Sequence, residues 1–553
     1  MDWINHFCAK DCPDTCGFLA GLENGQLKVK ANDFEFLEKP FICGKLRFFY
    51  EREIKNNTSY SLLDGKRAKE DDLFDRISKL LIDSLKENKR VLYLRGSGNL
   101  GYGMFAWDVL LSQLDNVYFV DGSPCDETGI EAHIEDFSVC TNPPITNLEE
   151  VDNIVIFGKN ANTCSPHLYA YLKELKKHKR IIYIDPIETQ TAKLAHEYFR
   201  IKPAADGVLA NAILNRLGKS RLLSDDPIKL TGLKEDEIDL FASVFESGRT
   251  AVIEGYGLQR YSNGKNSIKW LNRLAYLTGN IDYLYYSRSS KEGLKKPKIT
   301  PKRSIYIADI TDYLKNDYFD VIFIVAANPV MSLPDNEVWQ EALDKTILIV
   351  VDTNFTQTTE YANYFLKVGG MFAQSDIQGS YLFNKTLKKE ALVNGLNDIT
   401  AAKEIAKRLN VKLDLSIDGV KSERVRSRKS PEDLNELILP KKTFDKIRLI
   451  SLPHLSYLNS QNIPIDLETV YVSQEITKKY RIDSGSLVSL KNGNTKRTFK
   501  AKVVDSVKGN LAFVYKSRCL DVNAISKNIP TDTKRGIAFN DVMVEIEKGA
   551  ESP

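Results

Sequence analysis

The chain has 553 residues, 27% of them charged and 42% hydrophobic, and a formal net charge of +3. That length exceeds one ordinary hydrophobic core and predicts several domains. So small a charge gives no electrostatic case for a nucleic-acid or anionic-membrane partner, and no run of about eighteen apolar residues is present to span a bilayer.

The first element in the chain is a ligand set. Cys8, Cys12 and Cys16 recur every four residues, and Cys43 follows after a long gap. Soft thiolates in this number select an iron–sulfur cluster or zinc. Zinc sites usually group their cysteines in twos, and three plus one suits a [4Fe-4S] cubane. Between Cys16 and Cys43, residues Phe18 to Val29 predict a hairpin turning at Glu23-Asn24-Gly25. Eight cysteines, four of them in this motif, suit a reducing compartment. The residues before Cys8 do not read as an export signal, so the expected location is the cytoplasm.

The string Asp11-Cys12-Pro13-Asp14-Thr15-Cys16-Gly17, with Cys43-x-Lys45, resembles the N-terminus of the molybdopterin oxidoreductase superfamily. That superfamily holds formate dehydrogenases and dimethyl sulfoxide, polysulfide and thiosulfate reductases. The resemblance implies a [4Fe-4S] cluster on Cys8, Cys12, Cys16 and Cys43. It also implies a molybdenum or tungsten centre held by two molybdopterin guanine dinucleotides, with Lys45 between cluster and pterin.

A helix is predicted over Asp71–Lys86, from the apolar spacing of Leu73, Ile77, Leu80, Leu81 and Leu85. A strand at Val91–Leu94 runs into Gly96-Ser-Gly98-Asn99-Leu-Gly101, then a helix from about Met104 to Leu114 and a strand at Val117–Val120 ending at Asp121. Taken literally this is the dinucleotide fingerprint, with backbone N–H groups at a helix N-terminus for a pyrophosphate and an acid for a ribose. Tyr102 and Gly103 make a poor helix start, however, and a lone match is weak. The resemblance implies instead that Gly98 and Asn99 face a pterin, and a plain tight turn is a third reading.

Asp121-Gly-Ser-Pro-Cys125-Asp-Glu-Thr-Gly129 surrounds one cysteine with small residues directly after a strand. That predicts a sulfur at the C-terminal edge of a sheet, where open α/β folds bind ligands. The resemblance implies that Cys125 is the protein ligand to molybdenum and that Cys125 and Lys45 are the catalytic pair. A buried structural cysteine is the other reading of Cys125, and Cys140, Cys164 and Cys519 are read that way. Formate dehydrogenases place a histidine after the ligand. Asp126 stands there here, which disfavours formate as substrate.

Val151–Phe157, a helix over about His167–Lys177 and the strand Ile181–Ile184 predict a β-α-β unit of a parallel sheet. The resemblance implies that Gly158, Asn160, Asn162, Asp185 and Asp206 hold the guanosine of one pterin. A helix cap is the other reading of Asp206. The strand from Ala251 runs into Gly255-Tyr-Gly257-Leu-Gln259-Arg260-Tyr-Ser-Asn263-Gly264, followed by a helix from about Ser267 to Thr278. This stretch resembles one subgroup closely and implies cofactor contacts at Gly257, Gln259, Arg260 and Asn263. Lys291–Arg303 reads as a surface connection. Strands at Asp320–Val325 and Thr346–Val351 end at Asn328 and Asp352, which the resemblance assigns to the second pterin. The sequence departs from the family at Asn363, where an acid is usual, at Lys367, where a proline is usual, and around Gln378-Gly-Ser-Tyr381.

Arg408–Lys442 is charged and reads as a linker with one helical piece. Strands at Ile447–Ser451, Thr469–Val472, Ser486–Leu490, Arg497–Val504 and Leu511–Tyr515 predict a small β-barrel. Asn523, Asp532 and Arg535-Gly536 resemble the cofactor-facing tail of the family, with Asn523 a contact. The expected fold class is α/β. It comprises a small β-rich cluster domain (1–56), two doubly wound α/β halves (57–120 with 300–440 for the second pterin, 121–299 for the first) and a C-terminal β-barrel (441–553). The expected function is two-electron redox chemistry on a small substrate, with electrons exchanged with an electron-transfer protein or iron–sulfur subunit. The alternatives are a non-catalytic iron–sulfur subunit of the same lineage, as in complex I, and an NAD-dependent dehydrogenase.

Overall fold

Apolar runs such as Val321-Ile-Phe-Ile-Val325 have no polar face to show to water, so they belong inside sheets covered on both sides. In the computed structural model this strand is buried throughout, as are Val91–Leu94 and Leu348–Val351 beside it. The structure describes all residues except 33–36, 47–57, 288–293, 381–384, 422–427, 444, 456–467, 516–519 and 550–553. Cys519 and Tyr381 lie outside the described residues. The chain divides into two units. One is Met1–Asp121 with Ser289–Arg424 and Ser456–Asn462; the other is Gly122–Arg288 with Val425–Leu455 and Ile463–Pro553.

The first unit begins with a three-stranded antiparallel sheet, Ile4–Phe7, Gly17–Glu23 and Gln26–Ala31, whose hairpin turns at Asn24-Gly25 with both residues left-handed. Its main sheet has eight strands in the order Arg303–Tyr306, Val117–Asp121, Val91–Arg95, Val321–Val325, Ile347–Asp352, Tyr364–Lys367, Leu62–Leu63 and Lys66–Arg67. The first six run parallel. Numbered in chain order they read 3-2-1-4-5-6, the doubly wound order whose ligand crevice lies between strands 1 and 4. Alternate residues face two cores: Tyr93, Phe323 and Val351 pack under the helices Glu70–Lys86 and Asp398–Leu409, while Leu92, Ile322 and Val350 pack on the other face with Trp339.

In the second unit, five parallel strands lie in the order Glu197–Phe199, Arg180–Ile184, Asn153–Phe157, Thr250–Glu254 and Leu284–Tyr286. In chain order this is 3-2-1-4-5, the same plan again. A closed six-stranded barrel follows. Five of its strands match the sequence reading. The sixth, Val542–Lys548, closes the barrel between Ile447–Leu452 and Leu487–Asn492.

Two local readings are corrected. The helix expected inside Arg408–Lys442 is the end of Asp398–Leu409, stopped by left-handed Asn410, and no described residue beyond it in that stretch is helical. The connection Lys291–Arg303 enters the main sheet at its end, because Arg303 begins an edge strand. Among the described residues no helix is long and apolar enough to cross a membrane.

Candidate functional site

The cysteine loop closes on itself: the Cys8 N–H donates to the Cys16 carbonyl at 2.9 Å, and the Thr15 N–H to the Cys12 carbonyl at 3.2 Å. Cys8 and Cys16 are buried, and Cys12 and Cys43 half-buried. The four thiols share one field. A hydrogen bond with Cys8, then burial, then the fields of Cys8, Cys43 and Cys12 push the Cys16 thiol up. Burial first and Cys8 second push the Cys43 thiol up to about 11, while Lys45 pulls it down. Lys45 is buried and also acts on Cys12. Among the described residues no three His, Cys, Asp or Glu side chains gather closely enough for a single metal ion.

In both units the crevice between strands 1 and 4 is built by crossing loops. In the first, the Gly96 N–H donates to the Val325 carbonyl at 2.8 Å and the Gly98 N–H to the Ala326 carbonyl at 3.2 Å. Ala326 is left-handed, with φ +50°. A Cβ on Gly98 would lie 2.8 Å from the Ala326 oxygen. In the second unit, the Gly255 N–H donates to Phe157 at 2.8 Å and the Gly257 N–H to left-handed Gly158 at 3.3 Å. A Gly-x-Gly on one loop thus crosses a left-handed residue on the other, the two roles being exchanged between strands 1 and 4.

The first-unit crevice is a cleft at the C-terminal ends of strands 1 and 4, where open α/β folds bind ligands. Gly98, Asn99, Asn328 and Asp352 line it together, and so do Ala9 and Lys10 of the cysteine loop. Burial pushes the Asp352 carboxyl up to about 6, against the pull of the Thr353 N–H and of Lys10. The Asn328 side chain is occupied: it donates to Gln357 at 2.9 Å and accepts from the Thr358 hydroxyl at 2.7 Å, shaping the loop after Asp352. Asn99 accepts from the Gly101 N–H at 3.0 Å. Asn363 bonds Leu348 in both directions at the N-terminal end of the sheet, so its departure from the family lies away from this cleft. Lys367 lies beside Asp352 in the sheet but lines a separate pocket with Glu70.

The nicotinamide alternative fails at the helix start. The Gly103 N–H, where a pyrophosphate would bind, donates to Asp376 Oδ1 at 2.9 Å. The second unit has the same device: Asp532 accepts from Lys265 N–H at 2.7 Å and Asn266 N–H at 2.6 Å, at the start of Gly264–Leu277.

In the second unit Gly158 meets Gly257, Asn160 and Asn162 follow the strand Asn153–Phe157, and Asp185 follows Arg180–Ile184. Asn160 accepts from the Thr191 hydroxyl at 3.2 Å. Asp185 accepts from the Tyr183 hydroxyl at 2.7 Å and the Ile187 N–H at 2.8 Å, and burial pushes its carboxyl up to about 6. Asp206 opens the helix Asp206–Arg216; burial first, then Asp185, push it up to about 7. Arg260 Nε is buried with no hydrogen-bond partner, an orphan donor that suits an anionic ligand. Asn263, in contrast, donates to the carbonyls of Ala204 and Ile438 and ties down loops. Gln259 is buried with both ends of its amide on the Cys125 segment: it donates to the Cys125 carbonyl and accepts from the Gly129 N–H at 2.8 Å. Asn523 is buried in the short helix Leu520–Ile525 against the barrel. Cys125 itself is half-buried, its N–H on Ser123 Oγ at 3.1 Å.

Sequence reasoning missed Lys10 and Asp398, which also line the first cleft, and the cap Asp376. Asp398 had a signal, since Asn397 caps the helix and Ala401, Ala402 and Ile405 follow at helical spacing. Lys10 and Asp376 act across long chain separations and leave no local pattern.

A model described as molybdopterin oxidoreductase matches residues 71–366. The probable oxidoreductase YyaE of Bacillus subtilis (strain 168) is 26% identical over 436 residues, covering 68% of this chain and 64% of that protein's length. An assimilatory nitrate reductase catalytic subunit of the same organism is 21% identical over 286 residues, 40% of each chain. Among solved structures, acetylene hydratase from Pelobacter acetylenicus superposes with a TM-score of 0.78 at 12% identity, over 99% of this chain and 100% of that one.

Proposed function

Because the chain belongs to the molybdopterin oxidoreductase family, we propose that it is a molybdenum or tungsten bis-pterin oxidoreductase with one [4Fe-4S] cluster, acting on a small substrate. The observation that carries this reading is the first-unit cleft, which the cysteine loop lines through Ala9 and Lys10 together with Gly98, Asn99, Asn328 and Asp352. A cofactor in that cleft would touch the loop that binds the cluster. When bound, the metal centre supplies two-electron chemistry and the cluster moves the electrons singly.

In this reading Cys8, Cys12, Cys16 and Cys43 hold the cluster, and buried Lys45 offsets the negative charge of the thiolates. Gly98 and the Ala326 loop bring backbone against one pterin nucleotide, with Asp352 and Lys10 as its polar contacts. Gly158, Asn160, Asn162, Asp185, Asp206, Gly257 and Arg260 bind the other, and Asn523 belongs with the tail that covers it. Gln259 and Asn263 act indirectly, by fixing loops. Cys125 is the protein ligand to the metal. The domains expected at 1–56, 57–120 with 300–440, 121–299 and 441–553 carry these parts. An electron-transfer protein or iron–sulfur subunit exchanges the electrons, and the reduced cysteines suit the cytoplasm.

Metal analysis of anaerobically purified protein tests the reading. About four irons with one molybdenum or tungsten per chain is expected from the fixed stoichiometry of each centre. Iron alone would instead indicate the cluster-only subunit, and neither metal would overturn both.

A further inference from the structure

Gln259 ends the short helix Tyr256–Gln259 at the crevice of the five-stranded sheet and is 2% exposed. Its carboxamide spans the Cys125 segment, donating to the Cys125 carbonyl and accepting from the Gly129 N–H. Gly129 is the third residue of the helix Glu127–Phe137, where an N–H has no partner within the helix. That helix has no side-chain cap at Asp126, so Gln259 caps it from outside. Tyr286 adds a further tie, its hydroxyl donating to the Asp126 carbonyl at 2.9 Å, and its ring occupies the space that a Gly129 Cβ would take. On the other flank the Ser123 N–H donates to the Arg535 carbonyl at 3.0 Å. The donor end of Gln259 faces a carbonyl and the acceptor end an N–H, an arrangement a carboxylate does not satisfy.

We propose that Gln259, assisted by Tyr286, is a positioning residue for the Cys125 thiolate. It orders the backbone on both sides of the sulfur before metal arrives, so that binding does not have to order the segment. The proposal rests on the reading of Cys125 as the metal ligand. It also reassigns Gln259, which the sequence pattern places among the cofactor contacts, to the protein side of the site.

The test compares wild type, Gln259→Leu, Gln259→Glu and Cys125→Ala, each expressed with molybdate and tungstate and purified anaerobically. Three quantities are read. They are metal per protein, the number of sulfurs around the metal by X-ray absorption, and the rate at which iodoacetamide alkylates Cys125 in metal-free protein, resolved by peptide mass spectrometry. Substitutions behind a metal ligand commonly weaken metal binding about 10–100-fold. Gln259→Leu is expected to fall in that range, to lose one sulfur from the metal shell, and to alkylate at Cys125 about tenfold faster, the scale of two lost hydrogen bonds. Gln259→Glu keeps the shape but sets two acceptors face to face. Its alkylation excess over wild type is expected to shrink as pH falls and the introduced carboxyl gains a proton to donate, a signature that a merely structural role does not produce. If Gln259→Leu loses the cluster iron and so fails to fold, Gln259→Glu decides. Wild-type metal content, sulfur count and alkylation in the Gln259 variants overturn the proposal. An unchanged sulfur count around the metal in Cys125→Ala overturns the ligand assignment beneath it, whatever the Gln259 variants do.

Discussion

The crossing of loops at the second-unit crevice makes Gly255→Ala a sharp perturbation. Gly255 has φ −102° and ψ 163°, ordinary extended values, so an alanine there suffers no backbone strain of its own. Its Cβ would press on the Gly158 carbonyl and stand 2.6 Å from Lys159 Cα, and both neighbours are backbone that no rotamer change relieves. Overpacking of this kind costs about 1–3 kcal/mol. Separating the loops also stretches the bonds from Gly255 N–H to Phe157 and from Gly257 N–H to Gly158, each worth about 1 kcal/mol. Replacing glycine restrains the unfolded chain and returns about 0.4–1 kcal/mol. The net expectation is a loss of about 2–4 kcal/mol, together with, on the proposed function, loss of the pterin at that crevice. Gly279→Ala is the control. Gly279 has φ +78° and open space around its Cβ position, so it incurs only the left-handed penalty of about 1–2 kcal/mol and is expected to keep its cofactor. Urea unfolding reads the first quantity, and fluorescence of the released, oxidised pterin reads the second. A Gly255→Ala protein with wild-type midpoint and pterin content would refute the crossing-loop account.

Cys43→Ala is expected to lose the cluster's iron and its visible absorbance, whereas Cys125→Ala keeps the iron and loses one sulfur from the molybdenum or tungsten shell; metal analysis and X-ray absorption separate the two. Burial raises the folded-state pKa of Asp206 to about 7, above the unfolded value of about 3.9. The native state therefore binds the proton more tightly, and the cofactor-free chain gains stability from this group as pH falls from above 7 toward 4. Asp206→Asn is expected to flatten that part of the stability–pH curve, and an unchanged slope counts against the assignment. Asp532→Ala removes the carboxylate that accepts from the Lys265 and Asn266 N–H groups and is expected to lower the free energy of unfolding, read by urea titration, by about 0.5–2 kcal/mol, the usual value of a helix cap.

The fold was legible because its strands are long apolar runs bounded by Gly, Asn and Asp, and the distance between runs left room for a helix. The repeated plan was visible as placement, in loops that follow comparable strands, although the residues do not repeat. The sixth barrel strand was missed because Val542-Met-Val-Glu-Ile-Glu follows a stretch read as tail, although its alternation was there to see. At the candidate site, the sequence located strand ends correctly but could not say which way each polar side chain was used. Asn328, Gln259 and Asn263 look like ligand contacts in a pattern, yet their hydrogen bonds go to protein loops. Such bonds join residues far apart in the chain, and no window of sequence holds both partners. The departure at Asn363 likewise looked relevant to a pterin until the sheet placed it at the opposite end from the cleft.

The Gly-x-Gly loops also explain how one motif serves two chemistries. In a dinucleotide site the glycines let backbone approach a pyrophosphate, and the helix that follows leaves its first N–H groups free for the phosphate oxygens. Here the glycines approach another loop of the same sheet instead. The first N–H groups of the following helices are already taken by Asp376 in one unit and Asp532 in the other. A carboxylate at that point both fills the donors and repels a phosphate. In the proposed function the cationic contacts for an anionic cofactor come instead from Lys10, which lines the first cleft, and from Arg260, whose buried Nε has no protein partner. Both residues lie on loops that the sheet order alone does not require. The shared 3-2-1-4-5 order therefore sets where a ligand can lie, and the carboxylates at the helix termini disfavour a phosphate at those N–H groups.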